Sequence, residues 1–182
     1  MKVIQTRLPG VVVIEPVVHG DERGFFVETF HAARYAEAGI KDKFVQDNLS
    51  KSQRGVLRGL HFQWPNPQGK LVSVVEGEVF DVAVDIRVGS PTYGQWHAEV
   101  LDGVSKRQMW VPPGFAHGFL TLSDFAIFQY KVTTLYQAEF DFGIRYDDPD
   151  LGITWPRMEV QLSGKDQQLP FLRDLPEERR PV

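Results

Sequence analysis

Apolar and polar residues alternate along much of this chain with a period of two. The segment from Leu71 reads LVSVVEGEVFDVAVDIRVGSPTYG: an apolar run, a Gly-bearing turn, a strictly alternating stretch, then a Gly/Ser/Pro corner. That pattern predicts two antiparallel strands joined by a tight connection. In the second strand Phe80, Val82, Val84 and Ile86 share one face, while Asp81, Ala83 and Asp85 share the other. The apolar set is therefore expected to face the core. Short runs of the same kind recur at 11–18, 25–30, 45–49, 107–111 and 126–134. Their spacing and turn signals predict an all-β sandwich or barrel, best described as a β jelly roll. Helix is confined to HAARYAEAGI, good helix formers closed by Gly39, and to a short turn after Pro176 in DLPEERRPV.

A chain of 182 residues suffices for one complete hydrophobic core, and no linker-like stretch divides it, so one domain over 1–182 is expected. The apolar share of 42% and charged share of 24% are those of a chain that folds on its own. A net charge of −4 argues against nucleic acid or an anionic membrane as partner. The opening MKVIQTRLPG has no apolar signal core and no run reaches the length of a membrane span, so the cytoplasm is the expected compartment. Having no cysteine, the chain lacks disulfides, thiolate nucleophiles and Cys-type zinc sites, so any catalytic group must be of another kind.

Two segments concentrate glycine and polar residues within apolar strands: GVLRGLHFQ (55–63) and WVPPGFAHGF (110–119). Each sets a histidine in a strand. A lone strand histidine is usually a hydrogen-bonded structural residue, and only the pair points to chemistry. The second segment resembles the second motif of the cupin superfamily, with Pro112, Gly114 and His117 in place and Thr121 where an Asn usually stands. The first resembles the first cupin motif: His61 holds the first ligand position, Gln63 the second, Lys70 the Glu position, and Gly77 the closing Gly.

A metal cupin needs neutral or anionic donors around its cation, and lysine is itself a cation. Two of the four ligands are replaced, so neither a metal nor another cofactor is expected. Lys70 instead offers a fixed positive charge that stabilises an oxyanion in a sheltered barrel. Tyr130, in AIFQYKVTTLY, is an acid candidate, and Asp166, in LSGKD, is a carboxylate that would orient His61 as base. A base, an oxyanion stabiliser and a second proton carrier are what epimerisation beside a ketone requires. The proton is acidic only if the enolate is stabilised, and inversion needs reprotonation from the opposite face by a different group.

A closer resemblance is carried by GDERGFFVE, FVQDNLS, GVLRGLHFQ, PQGKLVSVVEGEVFDVAVDIR, GSPTYGQW, PPGFAHGF, FQYKVTTLY, DDPDLGITWP and LSGKD, in order over about 10–171. Together these segments identify the chain as a member of the dTDP-4-dehydrorhamnose 3,5-epimerase family. The resemblance implies a cupin-type jelly roll. It further implies that His61 removes the C3 and C5 protons of a dTDP-linked 4-keto-6-deoxyhexose, with Asp166 orienting it. Lys70 would hold the C4 enolate and Tyr130 return the proton. Nucleotide-sugar contacts are implied for Arg23, Glu28, Gln46, Asp47, Asn48, Arg58, His117, Asp141 and Lys165, with Phe26 and Tyr136 stacking on the base. A homodimer is implied as well, in which the RGFF strand crosses to the neighbour's barrel.

Two local features qualify these assignments. Arg58 and His61 have opposite strand parity, so both reach one cavity only if the strand bulges, and Gly59 between them is the residue that permits it. Asp141 stands where the family has Glu, and the shorter carboxylate exchanges a direct hydrogen bond for a water-mediated one. The alternatives are a related 3- or 5-epimerase, a non-catalytic cupin that binds a sugar nucleotide, and a metal-dependent cupin.

Overall fold

The computed structural model describes residues 1–182. In chain order the strands are β1 (Lys2–Gln5), β2 (Val12–Glu15), β3 (Val18–Asp21), β4 (Gly24–Val27), β5 (Gln46–Gln53), β6 (Leu57–Gln63), β7 (Lys70–Glu76), β8 (Glu78–Asp85), β9 (Trp96–Asp102), β10 (Gln108–Val111), β11 (Phe115–Thr121), β12 (Phe125–Val132) and β13 (Asp141–Gly143). One α-helix, α1 (Ala32–Glu37), follows β4. Strands pair antiparallel into a six-stranded sheet, β1-β2-β10-β7-β12-β5, and a five-stranded sheet, β13-β6-β11-β8-β9. From β5 to β13 consecutive strands fall in opposite sheets, apart from the β8–β9 hairpin, as in a jelly roll, and the alternation in the sequence predicts that class.

The inner faces of the two sheets meet in a core of Val72, Val74, Val79, Ala83, Phe119 and Phe128 with their neighbours. Each fully buried aliphatic or aromatic side chain there contributes about 1.5–3 kcal/mol. The outer face of the six-stranded sheet is covered by α1, whose Tyr35 packs on Ile14, Leu71 and Trp110. The helix runs six residues, capped by the His31 side chain, and the left-handed Gly39 (φ 94°) lies just beyond its end. A 3₁₀ turn over Glu177–Arg179 follows Pro176, as expected.

The orientation expected for β8 is corrected. Val82, Val84 and Ile86 are buried, but in an outer layer beneath Ile144, Leu151, Leu172 and Leu175 from the C-terminal coil. The other face, bearing Val79, Asp81 and Ala83, points between the sheets. Both faces of the strand are covered, so alternation marks the two faces without saying which one is central. The run expected as one strand over 11–18 divides at Pro16, which has no N–H to donate. The run over 25–30 keeps only β4, which pairs with β3 and with no other strand. Phe25 and Phe26 on that hairpin are 60% and 71% exposed. No helix is long and apolar enough to cross a membrane.

Candidate active site

The site is organised by a bulge in β6. His117 on β11 pairs with His61, and Phe119 pairs with Arg58, so two steps on β11 face three on β6. The extra residue is absorbed at Gly59, whose φ is 116°. Leu60 turns into the outer layer, and Arg58 and His61 both line the same cavity. A Cβ built on Gly59 would lie 2.7 Å from both the Gly118 Cα and the His117 carbonyl oxygen. Gly59→Ala is therefore expected to cost about 1–3 kcal/mol in backbone strain alone, before the clash. It should lower the denaturant midpoint at an unchanged slope and displace Arg58 and His61 together.

The cavity has a volume of about 710 Å³ and opens between the two sheets. His61, Lys70, Tyr130 and Asp166 all line it, as do Asn48, Arg58, His117, Tyr136, Asp141 and Lys165. His61 Nε2 lies 2.6 Å from Asp166 Oδ1, with the carboxylate buried and the ring partly open to the cavity. Burial pushes the Asp166 carboxyl up, but the His61 ring, the Ser163 hydroxyl and the Gly59 N–H outweigh it and hold Asp166 below the usual carboxylate range. An ionised carboxylate only accepts, so Nε2 carries the proton and Nδ1 is left free to accept one.

Lys70 begins β7 and points inward, its Nζ 3.5 Å from the His61 carbonyl oxygen. Burial draws its ammonium down to about 8, against the opposing pull of Asp141 and Asp81. Tyr130 packs against the core from β12. Burial, and then the charge of Asp141, raises its phenol, so it stays protonated and able to donate. The constellation places a base, a cation and a phenol around one cavity.

Other expected residues fall in distinct places. Arg58 Nε is held by the Ser52 hydroxyl at 3.0 Å, which leaves its outer nitrogens free. Asp141 lines the cavity with its Oδ2 already engaged, 2.6 Å from Lys165 Nζ and 3.1 Å from the Tyr136 hydroxyl. Gln46 stands behind the lining, bonded to Asn48 and to the Tyr136 N–H. Asp47 has the opposite strand parity, points outward and pairs with Lys131 at 2.9 Å. Arg23, Glu28 and Phe26 lie outside the cavity of this chain. Arg23 is tied to Asp21 on the β3–β4 hairpin, and Glu28 lies 2.6 Å from Arg34.

At the cupin ligand positions, Gln63 is buried and commits its amide to Asn66, Leu135 and Gln137, stapling two loops. No three His, Cys, Asp or Glu side chains converge as a metal site. Sequence reasoning missed Asp81, fully buried on β8 with its carboxylate oxygens 2.9 and 3.0 Å from His117 Nε2. The available signal was an acidic residue inside a strand otherwise buried on both faces.

The family model for dTDP-4-dehydrorhamnose 3,5-epimerase matches residues 5–174. An enzyme of that name from Methanothermobacter thermautotrophicus is 54% identical over 176 residues, 95% of this chain and 95% of the relative. Another from Salmonella typhimurium is 53% identical over 175 residues, 94% of this chain and 96% of the relative. The crystal structure of a dTDP-6-deoxy-D-glucose-3,5-epimerase from Legionella pneumophila in complex with dTDP-4-keto-L-rhamnose matches with a TM-score of 0.97 at 56% identity, covering 99% of this chain and 97% of that one. Likeness this close over nearly the full length of both partners extends to sequence as well as fold, and the chain belongs to the dTDP-4-dehydrorhamnose 3,5-epimerase family.

Proposed function

We propose that residues 1–182 form one catalytic unit that converts dTDP-4-keto-6-deoxy-D-glucose to dTDP-4-keto-L-rhamnose, inverting C3 and C5 through enolate intermediates. The observation that carries this reading is the His61–Asp166 pair at 2.6 Å in a cavity also lined by Lys70 and Tyr130. His61 removes the proton beside the C4 ketone. Lys70 stabilises the oxyanion that forms at O4, and Tyr130 returns a proton from the opposite face. Asp166 fixes the His61 ring and steadies the imidazolium that appears when the proton arrives. The C4 ketone acidifies both neighbouring positions, so one set of groups serves both C3 and C5.

Arg58 suits the diphosphate, the guanidinium offering a fork for phosphate oxygens, and the His117 ring joins it as a donor when it carries a proton on Nδ1 as well as Nε2. Tyr136, 54% exposed and held by Asp141, offers a flat ring to the base. The β3–β4 hairpin carries Arg23, Glu28 and Phe26 away from the cavity of their own chain. In this reading the enzyme is a homodimer and the hairpin delivers those residues to the partner's site, covering its exposed phenylalanines.

Turnover of dTDP-4-keto-6-deoxyglucose in deuterated water tests the reaction. Each inversion exchanges one carbon-bound hydrogen with solvent, so NMR of the product should find deuterium at both C3 and C5. Label at one carbon alone would make the chain a single-site epimerase. No label at all would leave it a binding protein.

A further inference from the structure

The side chain of Asp81 has a single hydrogen-bonding partner, the His117 ring, although it is fully buried. Asp166, the other carboxylate paired with a histidine here, shares its charge among the His61 ring, Ser163 and the Gly59 N–H. The two histidines face each other directly across β6 and β11. Two imidazole–carboxylate pairs thus stand side by side in one cavity, with carboxylates from different elements. His117 is further fixed by stacking on Phe128, ring centroids 6.1 Å apart at 25°. Its Nδ1 has no partner within the chain and is left to the cavity.

We propose that Asp81 is a positioning residue for the epimerisation: its carboxylate fixes the His117 ring, with the proton on Nε2, and serves as the buried counter-charge to Lys70. This rests on the function proposed above and assigns that site a second charged support. In that arrangement Nε2 donates to the carboxylate and Nδ1 faces the substrate. The field of a buried carboxylate is little screened, so it acts strongly on nearby cations. Lys70 feels that field, which together with Asp141 opposes the loss of its proton. The other titratable groups that line the cavity with Lys70 are Arg58 and His61 from β6, His117 from β11, Tyr130 from β12, and Tyr136, Lys165 and Asp166 from the C-terminal half beyond it.

The first test needs no substrate, so it fails or succeeds separately from the deuterium assay. In protein labelled with 15N-histidine, and assigned with His117→Gln, the His117 ring should carry a proton on Nε2. A bare Nε2 would overturn the proposal. Two variants then separate charge from hydrogen bond. Asp81→Asn keeps an acceptor and the volume but removes the charge. The alkaline decline of kcat/KM should begin at a lower pH than in the wild type, because Lys70 loses a counter-charge. Asp81→Ala removes the acceptor as well, and KM should rise about tenfold, the worth of one hydrogen bond to a charged group. A carboxylate needed only for folding would reduce the active fraction and leave both readouts in place. An unmoved alkaline decline in Asp81→Asn, or an unchanged KM in Asp81→Ala, would refute the assignment.

Discussion

Replacing His61 by Asn is expected to lower kcat by about 10³–10⁴-fold, near the upper limit of what a positioned general base contributes. The side chain stays polar and of similar length, so the cavity keeps its shape and dTDP should bind nearly as tightly as before. The loss arises because the amide cannot accept the proton that His61 Nδ1 receives. Asp166, 2.6 Å from Nε2, is then left beside a neutral group. Both hydrogens should stop exchanging together, since one base serves both carbons. The check is single-turnover exchange in deuterated water alongside calorimetric titration with dTDP. Exchange at an unchanged rate would remove His61 from the mechanism, and exchange surviving at one carbon would require a second base.

Lys70→Met should cost about 10²–10³ in kcat, the usual loss when one oxyanion-stabilising group is removed from a sheltered site. Methionine reproduces most of the length and none of the charge. The pH profile carries the more specific signature. With its pKa drawn down to about 8, Lys70 is an ammonium ion below that pH and neutral above it. Wild-type kcat/KM should therefore fall as pH rises through about 8. The Tyr130 phenol, raised above its ordinary value, still holds its proton there. In Lys70→Met the residual activity should lose that decline. A decline that persisted at the same pH would assign it to another group.

The sequence disclosed the jelly roll through strand alternation, and the candidate chemistry through histidine, lysine, tyrosine and aspartate in separate segments. Their convergence came from topology: His61 on β6, Lys70 on β7 and Tyr130 on β12 meet because consecutive strands cross between sheets. Residue parity anticipated the bulge between Arg58 and His61, because two residues three apart cannot share a face of a regular strand. Parity could not assign the faces of β8, since a C-terminal coil far away in sequence covers its outer side. Asp81 was hidden for that reason, reading as part of the face opposite the apolar set rather than as a carboxylate between sheets. The placement of Arg23 and Glu28 outside their own cavity was legible only through the family resemblance, and not from the strand pattern. Their hairpin is joined to the barrel by covalent connection and not by strand pairing, so no register fixes where it points.

The irregular turn of β6 bears on how this protein tolerates change in length. Most strands of a sandwich accept a substitution more readily than a deletion, and here the difference is extreme. Removing one residue between Arg58 and His61 would restore a regular strand and rotate one of the two out of the cavity. Adding one would do the same in the opposite sense. The interval of three is thus as much a part of the active centre as the side chains that bound it, and a descendant free to vary nearly every letter of GVLRGLHFQ would still be held to its count.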